Sequence, residues 1–380
     1  MASFHRIHSP NVNHSQRVLL VGPVPPPYGG MAIQGQILEK FLRQDGIAVS
    51  FFSSTAPFPQ WLRPLEKIRY VRLITRAVLI AVTLWPQVRQ ADVVHVLAAS
   101  WVYFFIGVSP AVLYSRIQGK RVVINYRGGD AWQFFRACGW LVKYIFRLAT
   151  LVTAPSEFLA EAVRECFGIT CEVVPNILDG SVFHHRQRTN LRPRILVTRH
   201  MEEIYGVEVA LRAFRVVQSH FPEASLWIAG TGSQEPNLRR MVSDWNLSNV
   251  RFLGYVPHSE LGAIYDECDI LLNASFVDNF PGSLLEASGA GLVVVSTGAG
   301  GIPFMFRHEE SALLVKPGDW AGLAIAVERV LQTPSVAHAL AKAAANLADS
   351  CRWPIVRKKL YAAYGFTVAP PPAPAQLGPD

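Results

Sequence analysis

The chain has 380 residues, 50% apolar and 17% charged, enough to bury cores of ordinary size and to exclude general disorder. Its net charge of +8 is uneven: residues 1–190 carry 20 basic and 10 acidic side chains, and residues 191–380 carry 16 and 18. A basic half joined to a near-neutral half points the first toward an anionic partner, whether phosphate, nucleic acid or a membrane surface, and composition does not choose among them.

From the N-terminus, MASFHRIHSPNVNHSQR is polar, and the apolar VLLVGPV that follows is short and broken by prolines, so no secretory signal is predicted. The five cysteines (Cys138, Cys166, Cys171, Cys268, Cys351) are scattered without a CxxC pair, which fits a reducing cytosol and no disulfide framework. Short apolar runs then alternate with helix-length amphipathic segments, the pattern of parallel sheets covered on both faces. Strands are predicted at 18–22, 49–52, 92–96, 121–126, 151–155 and 171–176 in the first half. In the second they fall at 194–199, 225–230, 250–254, 269–275, 292–297 and 312–317.

The organisation expected is two doubly wound domains in tandem, 1–180 and 194–350, with the irregular polar segment Ile177 to Pro193 between them. A restarted helical pattern occupies 351–366, and a proline-rich, disordered tail 367–380. Ligands of open parallel sheets sit beyond the carboxyl ends of the strands, so for two facing sheets the site is expected in the cleft between them. Two uncharged stretches long enough to span a bilayer read otherwise. Val93 to Ser115 is interrupted by His95, Ser100, Gly107, Ser109 and Pro110 and reads as a strand, a turn and a buried helix. Ala287 to Phe306 holds five glycines and Pro303 and reads as loops around a strand.

Three segments carry chemistry. In GPVPPPYGGMAIQGQ, Gly29 and Gly30 lie between a strand and an amphipathic helix, where the backbone can approach an anion and the helix start offers free amides. A plain Pro-Gly turn is the alternative. In SFVDNFPGSLLEASGAGLVVVSTGAGG, Asp278 lies in a loop and Glu286 in a helix starting near Gly282 or Ser283. Two carboxylates so placed can accept hydrogen bonds from ligand hydroxyls while the helix start faces phosphate; alternatively Asp278 caps the helix and Glu286 is solvated. In LRPLEKIRYVRLITRAVLIAVTLW, Arg69, Arg72 and Arg76 share a helical face, with Val71, Ile74 and Val78 opposite. That is either a face for anionic lipid or an ordinary surface helix packed on its sheet.

Asp278, Asn279, Phe280, Glu286 and Ala287, with the Gly298 to Gly301 turn and Pro303, resemble the E-x7-E region of retaining family-4 glycosyltransferases. SELGAIYDECDILLNAS, IAGTGSQEPNLRRMV, APSEFLAEAVRECFG with VVPNILD, PPYGG, DVVHV, NYRGGDA and the terminal WPIVRKKLYAAY are similar to that family's other segments, over about residues 17–365. The resemblance implies the GT-B fold, α/β with two Rossmann-like domains facing across a cleft: an N-terminal acceptor-binding domain, a C-terminal nucleotide-sugar-binding domain, and a terminal helix crossing back to the first.

It also implies roles. Arg199 and the backbone at Gly29 and Gly30 would hold the diphosphate, Asp278 the donor sugar's hydroxyls and Glu286 the ribose. Asn279, Phe280, Gly282, Ser283 and Leu285 complete the donor side; Arg127, Gly128, Gly129 and Asp130 form an acceptor-side loop. An arginine fork suits a leaving diphosphate that gains charge as the sugar bond breaks.

The chain departs from the family in four places. RHMEEIYGVE lacks the usual Lys-Gly pair and has Tyr205 before Gly206, leaving the second cation unassigned. Asp278 replaces Glu, Pro281 replaces a glycine and removes a backbone donor, and Arg127 stands where histidine is common. Arg127 is open between supplying the missing charge, binding an acidic acceptor and lying idle on the surface.

No DxD, HExxH or His/Cys cluster is present, so metal is not expected, nor a cofactor, the nucleotide sugar being a substrate. His184 and His185 read as solvated. His95 is open between lining the cleft and being a satisfied buried residue.

The reading is a retaining, metal-independent, hexosyltransferase-type enzyme of cell-surface polysaccharide or glycolipid synthesis. It is expected to be cytoplasmic, peripheral on the inner leaflet through Arg69, Arg72 and Arg76, and without nucleic acid as partner. The alternatives are a sugar-nucleotide epimerase, which needs no acceptor, a glycosyl phosphorylase of the same fold, and a non-catalytic nucleotide-sugar-binding subunit.

Overall fold

The computed structural model describes residues 16–25, 29–55 and 58–366, without the side chains of Glu66 and Arg69. The tail expected at 367–380 lies outside the described residues, as do Pro26, Pro27 and Tyr28 of the PPYGG loop. The chain divides into two compact units. One holds the described residues up to Pro155, Ala160–Val174 and Pro354 onward; the other holds Ser156–Leu159 and Pro175–Trp353. The polar segment Ile177 to Pro193 thus lies wholly in the second unit.

The first unit is built on β1 (Arg17–Gly22), α1 (Gly30–Gln44), β2 (Ala48–Ser53), α2 (Arg69–Gln90), β3 (Val93–Ala98), α3 (Ser109–Ile117), β4 (Arg121–Tyr126), α4 (Ala131–Leu148), β5 (Leu151–Ala154), α5 (Glu157–Phe167) and β6 (Cys171–Val173). All strand pairings are parallel, in the order β2-β1-β3-β4-β5-β6. Val18 to Val21 are at most 1% exposed, because a strand covered by helices on both faces needs apolar residues at successive positions. The terminal segment from Pro354 is bonded into this unit: Tyr361 donates to Asp45 Oδ2 at 2.6 Å, and Arg121 Nε donates to the Ala363 carbonyl at 2.9 Å.

Tyr364 OH lies 3.0 Å from His95 Nδ1. His95 is 2% exposed, and burial, then the charge of Arg127, push its pKa down to about 3. Its neutral ring accepts from the tyrosine, so it is a satisfied buried residue.

The second unit comprises β7 (Arg194–Thr198), α6 (Val207–His220), β8 (Ser225–Ala229), α7 (Glu235–Asp244), β9 (Val250–Gly254), α8 (His258–Glu267), β10 (Ile270–Asn273), α9 (Gly282–Ala290), β11 (Val293–Thr297), α10 (Ile302–Met305), β12 (Leu313–Val315), α11 (Trp320–Gln332) and α12 (Pro334–Ser350); α13 (Trp353–Tyr364) closes the described chain. Its parallel sheet runs β12-β11-β10-β7-β8-β9. Successive strand residues serve two cores, as the pleat requires. Ile195, Val197, Ile270, Leu272, Val293 and Val295 enter one. Leu196, Leu271 and Val294 enter the other, with Leu284 and Leu285 of α9.

The segment before β7 is tied down by one buried carboxylate. Asp269, with a side chain 0% exposed, accepts from Arg186 Nη2 at 2.6 Å, Arg188 Nε at 3.0 Å and the Arg192 backbone N–H at 2.7 Å. Arg192 adds its Nε and Nη2, both at 3.1 Å. Arg188 also donates to the carbonyls of Tyr265, Cys268 and Ala290, so this buried cation is fully engaged.

Candidate functional site

In the second sheet the strand order reverses between β7 and β10; loops leaving the carboxyl ends of strands at such a point diverge and open a crevice for ligands. Arg199 follows β7 directly. Its Nε donates to Asn273 Oδ1 at the end of β10, at 2.9 Å, and its Nη2 is 2.7 Å from Asp278 Oδ2. The Tyr205 ring lies 5.4 Å below the guanidinium carbon, so where the family has a lysine this chain has an aromatic face holding the arginine. The pair is largely withdrawn from solvent, with side chains 12% and 14% exposed; Nη2 is buried against Asp278, and Nη1 is left for a ligand.

Beneath Arg199 the polar groups are satisfied in series. Ser275 Oγ donates to Asn273 Oδ1 at 2.8 Å, Asn273 Nδ2 donates to Ser296 Oγ at 2.9 Å, and Thr297 Oγ1 donates to the Ser275 carbonyl at 2.6 Å. All four residues are at most 1% exposed. Such a network fixes one arginine rotamer in advance of any ligand.

Asp278 does not cap α9. The N-cap is Pro281 and no side chain satisfies the first turn, so the opening amides at Gly282 and Ser283 are offered outward at the positive end of the helix dipole. One turn later, Glu286 Oε2 accepts from Tyr265 OH at 3.0 Å, and that hydroxyl is 2.9 Å from Thr198 Oγ1. Burial, then the negative charge of Glu286, hold the Tyr265 pKa well above its usual value, so Tyr265 keeps its proton and donates a hydrogen bond to the carboxylate. Asn279 and Phe280 are half-buried beside Asp278, and the Phe280 carbonyl accepts from Asn176 Nδ2 at 3.1 Å. Leu285 is 1% exposed and belongs to the core; only its backbone is near the helix start.

The glycine turn after β11 closes over this loop. Gly301 N–H donates to the Asp278 carbonyl at 2.8 Å, and a Cβ at Gly300 (φ 54°) or Gly301 would strike the Asp278 or Asn279 carbonyl. Those glycines let two backbones meet and hold Asp278 in place. Tyr265, Thr198, His258 and Asn273 were not singled out from sequence. They come from β7, α8 and β10, and no local spacing links them to Glu286.

In the first unit, Gly29 is the uncapped N-cap of α1, and a Cβ at Gly29 or Gly30 would meet nothing within 4 Å. Arg127 is half-buried; its Nε donates to Asn125 Oδ1 at 2.5 Å, and burial lowers its pKa to about 10. It is therefore no idle surface residue. Gly128 is required by the close approach of Ser100 Oγ and Tyr126 OH, whereas Gly129 and Asp130 are exposed.

The basic helix differs from expectation. Arg76 folds over the Phe58 ring at 5.1 Å and donates to the Ser54 carbonyl at 3.4 Å; Arg69's side chain is outside the description. Ile74 and Val78, placed opposite the arginines, are 65% and 56% exposed. Among the described residues it is Tyr70–Gln90, not Val93 to Ser115, that is long and apolar enough to cross a membrane, with 17% of it buried.

Residues 192–333 match the family model of the glycosyl transferases group 1, and residues 28–182 that of Glycosyltransferase Family 4. A 2-deoxystreptamine N-acetyl-D-glucosaminyltransferase of Niallia circulans is 33% identical over 114 residues, 30% of this chain and 29% of that protein. A glycogen synthase of Mycobacterium tuberculosis is 30% identical over 214 residues, 54% and 50% of the two. The amylovoran biosynthesis glycosyltransferase AmsK of Erwinia amylovora is 32% identical over 146 residues, 37% and 36%. The chain spans half or less of these relatives' length. In structure, Anabaena Alr3699/HepE in complex with UDP superposes with a TM-score of 0.71 at 15% identity, covering 92% of this chain and 99% of that one. Sucrose-phosphate synthase (tll1590) from Thermosynechococcus elongatus gives 0.70 at 18% identity, covering 92% and 98%. At those identities the likeness is one of fold: two Rossmann-like units in tandem, the GT-B class.

Proposed function

The chain belongs to glycosyltransferase family 4, and we propose that it transfers a sugar from a nucleotide diphosphate donor to a hydroxyl of a glycan or lipid-linked acceptor, in cell-surface polysaccharide or glycolipid synthesis. The observation that carries this reading is the grouping of Arg199, Asp278, the uncapped start of α9 and Glu286 at the switch point of one sheet. The leaving diphosphate lies against Arg199 and the α9 amides, which neutralise charge developing on it without a metal ion. Asp278 takes the sugar hydroxyls and Glu286 the ribose. The second cation is unassigned. No side chain is assigned as covalent nucleophile, and the product keeps the donor's anomeric configuration.

UDP is the first probe, since HepE was crystallised with UDP and with UDP-glucose. Titration calorimetry is expected to show UDP or another nucleoside diphosphate binding the wild type, and Glu286→Ala binding it about 10- to 100-fold more weakly, the cost of losing a charged hydrogen-bond acceptor. Equal affinities would remove Glu286 from the site. Binding with no transfer or donor turnover would instead make the chain a nucleotide-sugar-binding subunit, the reading that the missing lysine favours.

The docking surface proposed is the α2 face, on anionic lipid at the inner leaflet. Ile74, Val78 and Val82 are exposed along one stripe of the helix, Trp61 and Tyr70 are exposed as well, and Arg63, Lys67 and Arg72 are exposed on this helix or in the segment before it. Apolar side chains bury in the acyl boundary while each nearby cation adds about 1 kcal/mol on an anionic surface. Co-sedimentation with phosphatidylglycerol vesicles is expected for the wild type and lost in Ile74→Glu/Val78→Glu; Arg72→Glu weakens it in a salt-dependent way. Sedimentation unchanged by all three substitutions contradicts the assignment.

A further inference from the structure

The carboxylate of Glu286 is used on one side only. Oε2 is held by Tyr265. Toward Oε1 the nearest basic atom is His258 Nε2, 3.6 Å away, too far for a hydrogen bond. That nitrogen is buried and has no hydrogen-bond partner among the described residues. A buried ring nitrogen left unsatisfied is costly and calls for an explanation.

The ring cannot easily turn to find a partner elsewhere. His258 opens α8, directly after Pro257. Its ring stands edge-on to Phe183, with centroids 5.3 Å apart, and Phe183 makes the same kind of contact with Tyr265 at 5.2 Å. Phe183 is 1% exposed. One buried phenyl ring thus sets both the group that anchors Glu286 and the group that faces its free oxygen.

An oxygen about 2.8 Å from each of two atoms 3.6 Å apart forms an unstrained triangle at ordinary hydrogen-bond distances. A Cβ placed at Gly282 would lie 3.6 Å from Oε1 and meet no other atom within 4 Å. The geometry points to His258 Nε2–H and Glu286 Oε1 as a paired reader of one ribose hydroxyl of the nucleotide: the hydroxyl donates to the carboxylate and accepts from the imidazole. His258 is then a specificity-determining residue that selects ribonucleotides over the deoxy analogue lacking that hydroxyl. A site built to bond a hydroxyl rejects a ligand without it, because its own polar atoms stay unpaired. This rests on the donor reading of Glu286 given above.

The test is a residue-against-ligand cycle by titration calorimetry with UDP, 2′-deoxy-UDP and 3′-deoxy-UDP, or the same series on whichever base the wild type binds. His258→Phe keeps the contact with Phe183 and removes the donor. It is expected to weaken the ribonucleotide about tenfold and to leave one of the two deoxy analogues unchanged, which identifies the hydroxyl read. His258→Gln, which retains an N–H donor, recovers part of the loss. Equal weakening of all three ligands by His258→Phe, or no weakening, overturns the inference and leaves the donor site standing, provided Glu286→Ala still weakens UDP. If Glu286→Ala has no effect, or the wild type binds none of these nucleotides, the donor reading falls and the inference with it.

Discussion

Replacing Arg199 with methionine is expected to lower kcat for donor turnover by about 10²- to 10³-fold, the range found when one preorganised group facing transition-state charge is removed. The side chain is already fixed by Asn273, Asp278 and the Tyr205 ring, so no reorganisation is needed as the diphosphate departs. Lysine is not expected to rescue the loss. A single ammonium cannot stack on Tyr205, bond Asn273 and Asp278, and still present N–H groups to two phosphates. Asp278, 14% exposed, can be solvated when its partner is lost, so folding should change little. Initial rates with saturating nucleotide sugar, alongside a melting curve, make the check. A raised KM with kcat unchanged would mean that Arg199 contributes only uniform binding and does not favour the transition state.

Asp269→Asn is expected to destabilise the second unit by about 3–5 kcal/mol, the usual consequence of removing one member of a buried ion pair. Arg188, 4% exposed, would keep its charge with no counterion. Its pKa is already lowered, to about 10, by burial first and by Arg186 second. For Asp269, burial works against ionisation. The hydrogen bonds and charge of Arg192, with the charge of Arg188, outweigh it, and the net pKa lies below the usual carboxylate value. A carboxylate lowered in the folded state stabilises fully above its unfolded pKa near 4 and loses that contribution as pH falls through the folded value. Urea unfolding followed at neutral pH should show the full difference between wild type and variant, narrowing as pH is lowered below about 4. A difference under 1 kcal/mol at neutral pH would contradict the anchoring role.

The central strands were legible because they are buried on both faces: LVVVS (292–296) leaves no other way to cover so many apolar side chains. The helix starting at Gly282 was legible from Pro281 and the small residues around it. Arg199 and Asp278 could be named from a family pattern, but their 2.7 Å contact spans two strands and depends on the reversal of strand order between them. Tyr265 and His258 were not legible, since their relation to Glu286 exists only once α8 packs beside α9.

The exposure of the basic helix was not legible for a different reason. Periodicity told which residues share a face, whereas Ile74 and Val78 are exposed and Arg76 turns back onto Phe58 because of what neighbouring elements cover.

Hydrogen–deuterium exchange with and without saturating UDP, or the nucleoside diphosphate that the wild type prefers, tests the location of the donor site most directly. The account predicts slower exchange at the loop after β7, residues 199–206, and at 278–286 through the first turn of α9. Binding that leaves both segments unprotected, with protection confined to other parts of the chain, would contradict it.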